Sequence, residues 1–218
     1  MTRSPPCCDI SRLVVGESLW HDDRVKRGMA LRLAAAALMF LAGCGDAVGL
    51  ATGHLRIYYI PSGAMENTLH IGDHVAVDTR ADPQRGSIVV FTGPSSWLDG
   101  ANGSGAKKFV KRVIGIGGDH VVCCDTSGRI TVNGVALKEN YLYPGNEPSF
   151  QHFDVTVPAG RLWVMGDHRD SSADSRSHMV DGNNGTIPVS SVVGVVVKIT
   201  GPKERAHPLP TPRYAGLS

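Results

Sequence analysis

Between residues 55 and 199 the apolar residues come in short runs. They are rich in Val, Ile, Phe and Tyr and broken by Gly, Pro, Asn and Asp. Such runs are too short for helices, and several alternate apolar with polar, as a strand with one buried face does. His74–Asp78 alternates in this way, and Arg85–Phe91 reads as a continuous buried strand. Phe109–Gly115, His120–Cys124, Phe153–Val157, Arg161–Met165 and Val192–Ile199 extend the set. Asn133-Gly134 lies between two alternating runs, which is a strong hairpin signal. With 26 Gly and 13 Pro in 218 residues, the expected fold is mostly β and rich in turns.

Three stretches carry chemistry. Ile60–Asp73 opens with Pro61-Ser62-Gly63, a restricted turn, followed by the apolar anchors Met65 and Leu69. A turn that fixes one small side chain on a β scaffold suits a nucleophile, although an ordinary connection between strands reads the same way. In Lys107–Asp119, alternation through Phe109, Lys111, Val113 and Gly115 puts Lys111 on one strand face among apolar neighbours. Buried there, its amine would be easier to deprotonate and could serve as a base; on an edge strand it would simply face water. Gly166–Arg176 is a polar loop directly after a buried strand. Its Asp167/Arg169 and Asp174/Arg176 pairs could brace a neighbouring site, or form a solvated surface loop.

The ends are organised differently. Residues 1–28 show no sustained period and read as a cytoplasmic or disordered tail. Arg24, Lys26, Arg27 and Arg32 precede the apolar run Leu33–Cys44, and that charge bias keeps the N-terminus cytoplasmic. The run is short for a span of ~20 residues. Residues 29–53 are therefore read as an uncleaved anchor, a signal segment or a buried helix. Leu41-Ala42-Gly43-Cys44 also resembles a lipoprotein lipobox. The main domain is placed at 54–201, and 202–218 reads as a Pro-rich, disordered tail. Gly93–Ala106 reads as a flexible loop carrying Trp97, either folded onto the core or touching a membrane surface.

A net charge of +2 with 19% charged residues gives no basic field for nucleic acid. The five cysteines, at 7, 8, 44, 123 and 124, match no zinc spacing. No metal or other cofactor is expected. Cys123 and Cys124 are expected as free thiols, since adjacent Cα atoms sit ~3.8 Å apart and strand neighbours face opposite ways.

Taken together, the stretches resemble bacterial type I signal peptidases, membrane-anchored serine proteases with a Ser–Lys dyad, in the actinobacterial branch. The resemblance is carried by Pro61-Ser62-Gly63-Ala64-Met65 with Thr68-Leu69, Gly72-Asp73, Gly86–Phe91, Lys111–Gly115 with Gly118-Asp119, and Gly166–Arg169 through Ser172, Asp174 and Arg176. They stand in the family's order from about Tyr59 to Ile199. It implies an antiparallel β-sheet or barrel catalytic domain behind one N-terminal anchor, held at the membrane lipid on the extracytoplasmic side. It implies Lys111 as general base, Ser62 in the oxyanion hole and Ser172 orienting Lys111. Gly166, Asp167, Arg169, Asp174 and Arg176 would be supporting residues, and Met65 a substrate contact. Substrates would be secretory preproteins with small residues at the cleavage site.

The departure is at the nucleophile position, which is Ala64. Asn67 stands where the family usually has Pro, and His168 where many members have Asn. Ser62 lies two residues from position 64, ~6–7 Å along an extended chain, too far to replace a nucleophile whose base must be ~3 Å away. Three expectations follow: an impaired signal peptidase, a pseudo-protease that binds signal peptides or secretion components without cutting, and an anchored β domain with no substrate.

Overall fold

The computed structural model describes residues 53–98, 107–212, 214 and 216–217. All but Gly53 of the expected anchor, and most of the expected loop tip, lie outside them. Among the described residues no helix is long and apolar enough to cross a membrane.

Among the described residues, twelve strands form two antiparallel sheets. The larger contains β1 (Leu55–Tyr59), β2 (His74–Asp78), β3 (Ile88–Thr92), β4 (Lys108–Ile116), β9 (Arg161–Met165), β10 (Ile187–Pro188) and β11 (Val192–Gly201). Their order is β1-β2-β11-β3-β4-β9-β10, with β12 (His207–Pro208) beside β11. The smaller contains β5 (His120–Cys123), β6 (Thr131–Val132), β7 (Val135–Ala136) and β8 (Phe153–Thr156), ordered β7-β6-β5-β8. The expected mostly-β class holds. The Asn133-Gly134 hairpin does too: both residues take positive φ, 52° and 78°, as a tight hairpin with right-handed strand twist requires.

Strand position decides what β4 can bury. It lies between β3 and β9, pairing Val89 with Lys111 and Arg112 with Met165. A central strand has no solvent edge, so Lys111 and Arg112, on opposite faces, are 4% and 3% exposed. The edge-strand alternative for Lys111 is thereby removed. Beyond β4, Gly118 takes φ +94°, and Asp119 closes the turn by accepting from the Ile116 amide at 2.8 Å. Arg85 grips the same carboxylate twice, at 2.7 Å each, and Asn133 of the hairpin donates to it at 2.9 Å. One buried Asp thus ties the larger sheet to the smaller.

Four expectations need correction. The segment after 201 does not fray where it is described: β12 pairs with β11, Leu209 packs on the core around Ile60, Met65 and Leu69, and Tyr214 is buried. Its prolines keep regular structure to short pieces but leave apolar side chains free to pack. Cys123 and Cys124 are joined as a disulfide rather than free. The expectation assumed a trans peptide and two strand residues; the bond is cis, the Cα atoms are 3.0 Å apart, and Cys124 lies beyond β5. Met65 is 2% exposed inside that same core, so it anchors the turn from below and offers a substrate no surface. Asp167 does not pair with Arg169, as described below. Trp97 is buried against Phe91 and Phe109, the core-packed of its two readings.

Candidate active site

The turn after β1 is built by local geometry. Ser62 is extended at φ −139° and ψ 153°, and Gly63–Met65 then forms a single 3₁₀ turn. Amides of Thr68 and Leu69 donate to the Met65 carbonyl, while Met65 and Leu69 insert into the core. Two buried anchors on one side and a hydrogen-bonded turn on the other fix position 64. Ala64 is half-buried at the top of this turn.

Opposite it, β9 ends at Met165 and runs into Gly166. The Gly166 amide donates to Asp174 Oδ2 at 3.0 Å. A side chain on Gly166 would overlap both the Ser172 hydroxyl and the Ala64 carbonyl. Gly166 is therefore the point at which the turn and the polar loop approach one another, and only hydrogen fits there. The His168 amide adds a hydrogen bond to the Ala64 carbonyl at 3.2 Å.

Lys111 completes the site from β4, which touches the 63–65 turn. Its Nζ stands 2.8 Å from Ser172 Oγ, and that hydroxyl donates to Asp174 Oδ2 at 2.7 Å. Burial pulls the Lys111 amine down to about 8, and the Arg176 charge pulls the same way; Asp174 and Asp167 oppose both. A buried amine poised there can be neutral near physiological pH and take a proton. Asp174 is fully buried. Burial alone would raise its carboxyl, but Arg176, the Gly166 amide and Lys111 hold it below the ordinary range. Arg176 binds it through Nε at 2.9 Å and Nη2 at 2.8 Å. The Asp174/Arg176 pair expected from sequence therefore forms.

The Asp167/Arg169 pair does not. Asp167 is clamped by Arg112 through Nε at 2.8 Å and Nη2 at 2.6 Å and accepts from the Thr68 hydroxyl. Arg169 turns the other way, to Glu139 and the Pro148 carbonyl. Both replacements are long-range and both fill buried sites, where a fork-shaped guanidinium needs planar acceptors. Arg112, Thr68 and Glu139 are the site residues that the sequence reading missed. Arg112 stands next to Lys111 in a β-run, so its burial on the opposite face was the available signal.

The expected site residues thus fall into two sets. Lys111, Ser172, Asp174, Arg176, Gly166 and the Ala64 backbone are brought together. Ser62 is exposed, with no side-chain hydrogen bond to its turn, and Met65 lies beneath it. His168 stacks on Tyr143 with ring centroids 4.0 Å apart and its Nδ1 lies 3.3 Å from the Gly63 carbonyl oxygen. Among the described residues no three His, Cys, Asp or Glu side chains are grouped to hold a metal ion. The constellation offers a base and its orienting partners, but the side chain at position 64 is a methyl group, with no lone pair to attack a carbonyl.

Comparison with known proteins gives one consistent family. The family model described as signal peptidase, peptidase S26, matches residues 31–200. Signal peptidase I of Mycobacterium tuberculosis is 39% identical over 195 residues, covering 69% of this chain and 66% of that protein. The chain thus spans just under two thirds of that relative's length. Signal peptidase I of Leptolyngbya laminosa is 35% identical over 173 residues, covering 77% of this chain and 80% of its own. A crystal structure of a signal peptidase I from Enterococcus faecalis matches with a TM-score of 0.39 and 32% identity, over 53% of this chain and 97% of that one.

Proposed function

The chain belongs to the signal peptidase family, peptidase S26, and from that membership we propose that it is a signal peptidase I homologue impaired in peptide-bond cleavage. The observation that carries this reading is the buried Lys111 amine, 2.8 Å from Ser172 Oγ, beside a turn whose nucleophile position is Ala64. In this reading Lys111 is the general base, losing its proton through burial, and Ser172 fixes the direction of its lone pair. Asp174 and Arg176 hold Ser172 in turn. A serine at 64 would give its proton to Lys111 as its oxygen attacked the scissile carbonyl. The Ser62 hydroxyl, free to rotate at the turn, would donate to the developing oxyanion.

Without that oxygen, acyl transfer cannot begin. Loss of a serine-protease triad member leaves only binding and oxyanion stabilisation, ~10³–10⁴-fold over water. Secretory preproteins would dock as an added strand, which needs backbone partners more than chemistry. The 29–53 segment would hold the β domain at the extracytoplasmic face of a membrane.

Intact machinery around a missing nucleophile also favours a second reading, a pseudo-protease that holds signal peptides without cutting them. The test is titration of the full chain, in detergent, with a labelled signal peptide carrying small residues at its cleavage site. Saturable binding without product supports the second reading. Product that disappears with Lys111→Ala supports residual cleavage. No binding and no product overturns both.

A further inference from the structure

The family match stops at residue 200, but the chain beyond it stays on the domain and runs back towards the turn that holds position 64. Its first attachment is Arg205. The guanidinium reaches Asp73 through Nε at 2.7 Å and Nη2 at 2.9 Å, and Nη2 also lies 3.4 Å from the Thr68 carbonyl. Asp73 is fully buried and caps the His70 amide at 2.8 Å, while its own backbone pairs with Ile60. Arg205 therefore compensates the buried charge that closes the 60–73 loop. A buried carboxylate stripped of its cation is costly enough to reorganise its surroundings.

The second attachment is Tyr214. Its hydroxyl meets the Tyr141 hydroxyl at 2.7 Å, and the Tyr141 ring carries the Arg112 guanidinium 3.9 Å from its centroid. Arg112 clamps Asp167, which accepts from Thr68 Oγ1. Between the two attachments, the Leu209 amide bonds the Val197 carbonyl at 2.9 Å. Pro212 presses so closely on Gly86 that any side chain there would strike its carbonyl, and the Gly86 carbonyl in turn accepts from Arg112 at 2.8 Å. This stretch roofs a cavity of about 180 Å³ over Thr68, Arg112 and Tyr141. The two attachments thus end on one residue: Arg205 takes the carbonyl of Thr68, and the Tyr214 relay takes its hydroxyl.

We propose that residues 202–212 together with Tyr214 form a positioning strap, in which Arg205 and Tyr214 hold Thr68 from two sides and so set position 64 against Lys111. This rests on the reading of position 64 as the point of attack. Arg205 and Tyr214 are positioning residues: they act through Thr68, Asp73 and Asp167, and leave the chemistry to Lys111.

The test has two arms. In the first, Arg205→Ala, Arg205→Lys and Tyr214→Phe are made in the Ala64→Ser protein, and preprotein cleavage is followed across pH. A displacement of ~1 Å can cost ~10²-fold in rate. Arg205→Ala is expected to lower kcat by ~10–10²-fold, with KM and the pH midpoint unchanged. Arg205→Lys recovers part of the loss, and Tyr214→Phe gives a smaller one. In the second arm, amide hydrogen exchange is measured in the chain as it stands, carrying the same substitutions. Exchange at Thr68, Leu69 and His70 should quicken while β2 and β4 keep their protection. Unchanged kcat and unchanged exchange would overturn the strap, and so would quickened exchange spread evenly with a falling Tm. If Ala64→Ser alone does not cut, the reading of position 64 fails, and the exchange arm still decides whether the strap holds the turn.

Discussion

The turn around position 64 and the loop from 166 to 176 face each other across Gly166, yet they are built on different terms. The loop is a closed electrostatic assembly: Asp174, Arg176, Asp167 and Arg169 are all buried and all partnered, and their partners reach into β4 and the 137–150 segment. The turn is packed from below by Met65 and Leu69, is tied at its far side through Thr68 and Asp73, and presents only a methyl group at position 64. The methyl group at position 64 makes no hydrogen bond, so this side chain adds no polar tie to the turn. Loss of any one of these four loop charges leaves its buried partner without its counter-charge. The charged loop is part of the structure's support, and the side chain at position 64 is not.

Substitutions can break that comparison, beginning with the largest expected effect. Asp167→Ala strands the Arg112 guanidinium, 3% exposed, and is expected to cost ~3–5 kcal/mol in denaturant unfolding. A cost below ~1 kcal/mol, the range of exposed pairs, would mean that the loop is not the support described. Lys111→Met sharpens the same point. The Lys111 amine falls from 10.5 to about 8 on folding, so between those values the unfolded chain binds the extra proton and stability rises with pH. Below about pH 8 the buried charge costs ~3 kcal/mol, and above 10.5 that cost is gone. The Met variant should therefore be the more stable near pH 7, with the gap closing as pH rises; a constant gap would contradict a neutral buried amine.

Gly166→Ala strikes the seam between the two regions, where its methyl would overlap both Ser172 and the Ala64 carbonyl. Overpacking of this kind is expected to cost ~1–3 kcal/mol and to weaken the Lys111–Ser172 contact, lowering activity in an Ala64→Ser background. The smallest effect is Thr68→Val, which removes one hydroxyl from Asp167 at ~1 kcal/mol. Thermal unfolding of the two variants side by side checks their order.

Much of this architecture was legible in local sequence. His74–Asp78 is read with the bounds that β2 has, because strict alternation survives in a strand with one buried face. The hairpin was legible because Asn-Gly has few other uses between β-runs. Lys111 was placed among apolar neighbours, but the choice between a buried and an edge position depended on which strands flank β4, and strand order leaves no local trace. The partners of Asp167 and Arg169 failed for the same reason: a sequence-near pair was expected, whereas burial selected Arg112 and Glu139 from distant segments. The packed C-terminal segment was missed because its prolines argue against regular structure, while packing needs only Leu209 and Tyr214 at the right places.

The central claim is that the site lacks one oxygen atom and otherwise keeps its machinery. Its most direct test is preprotein cleavage by three proteins side by side: the chain as it stands, Ala64→Ser, and Ala64→Ser with Lys111→Ala. The account predicts cleavage by Ala64→Ser alone, increasing as pH rises through about 8, where Lys111 loses its proton. Cleavage by the unsubstituted chain, or by the double variant as fast as by Ala64→Ser, would contradict it.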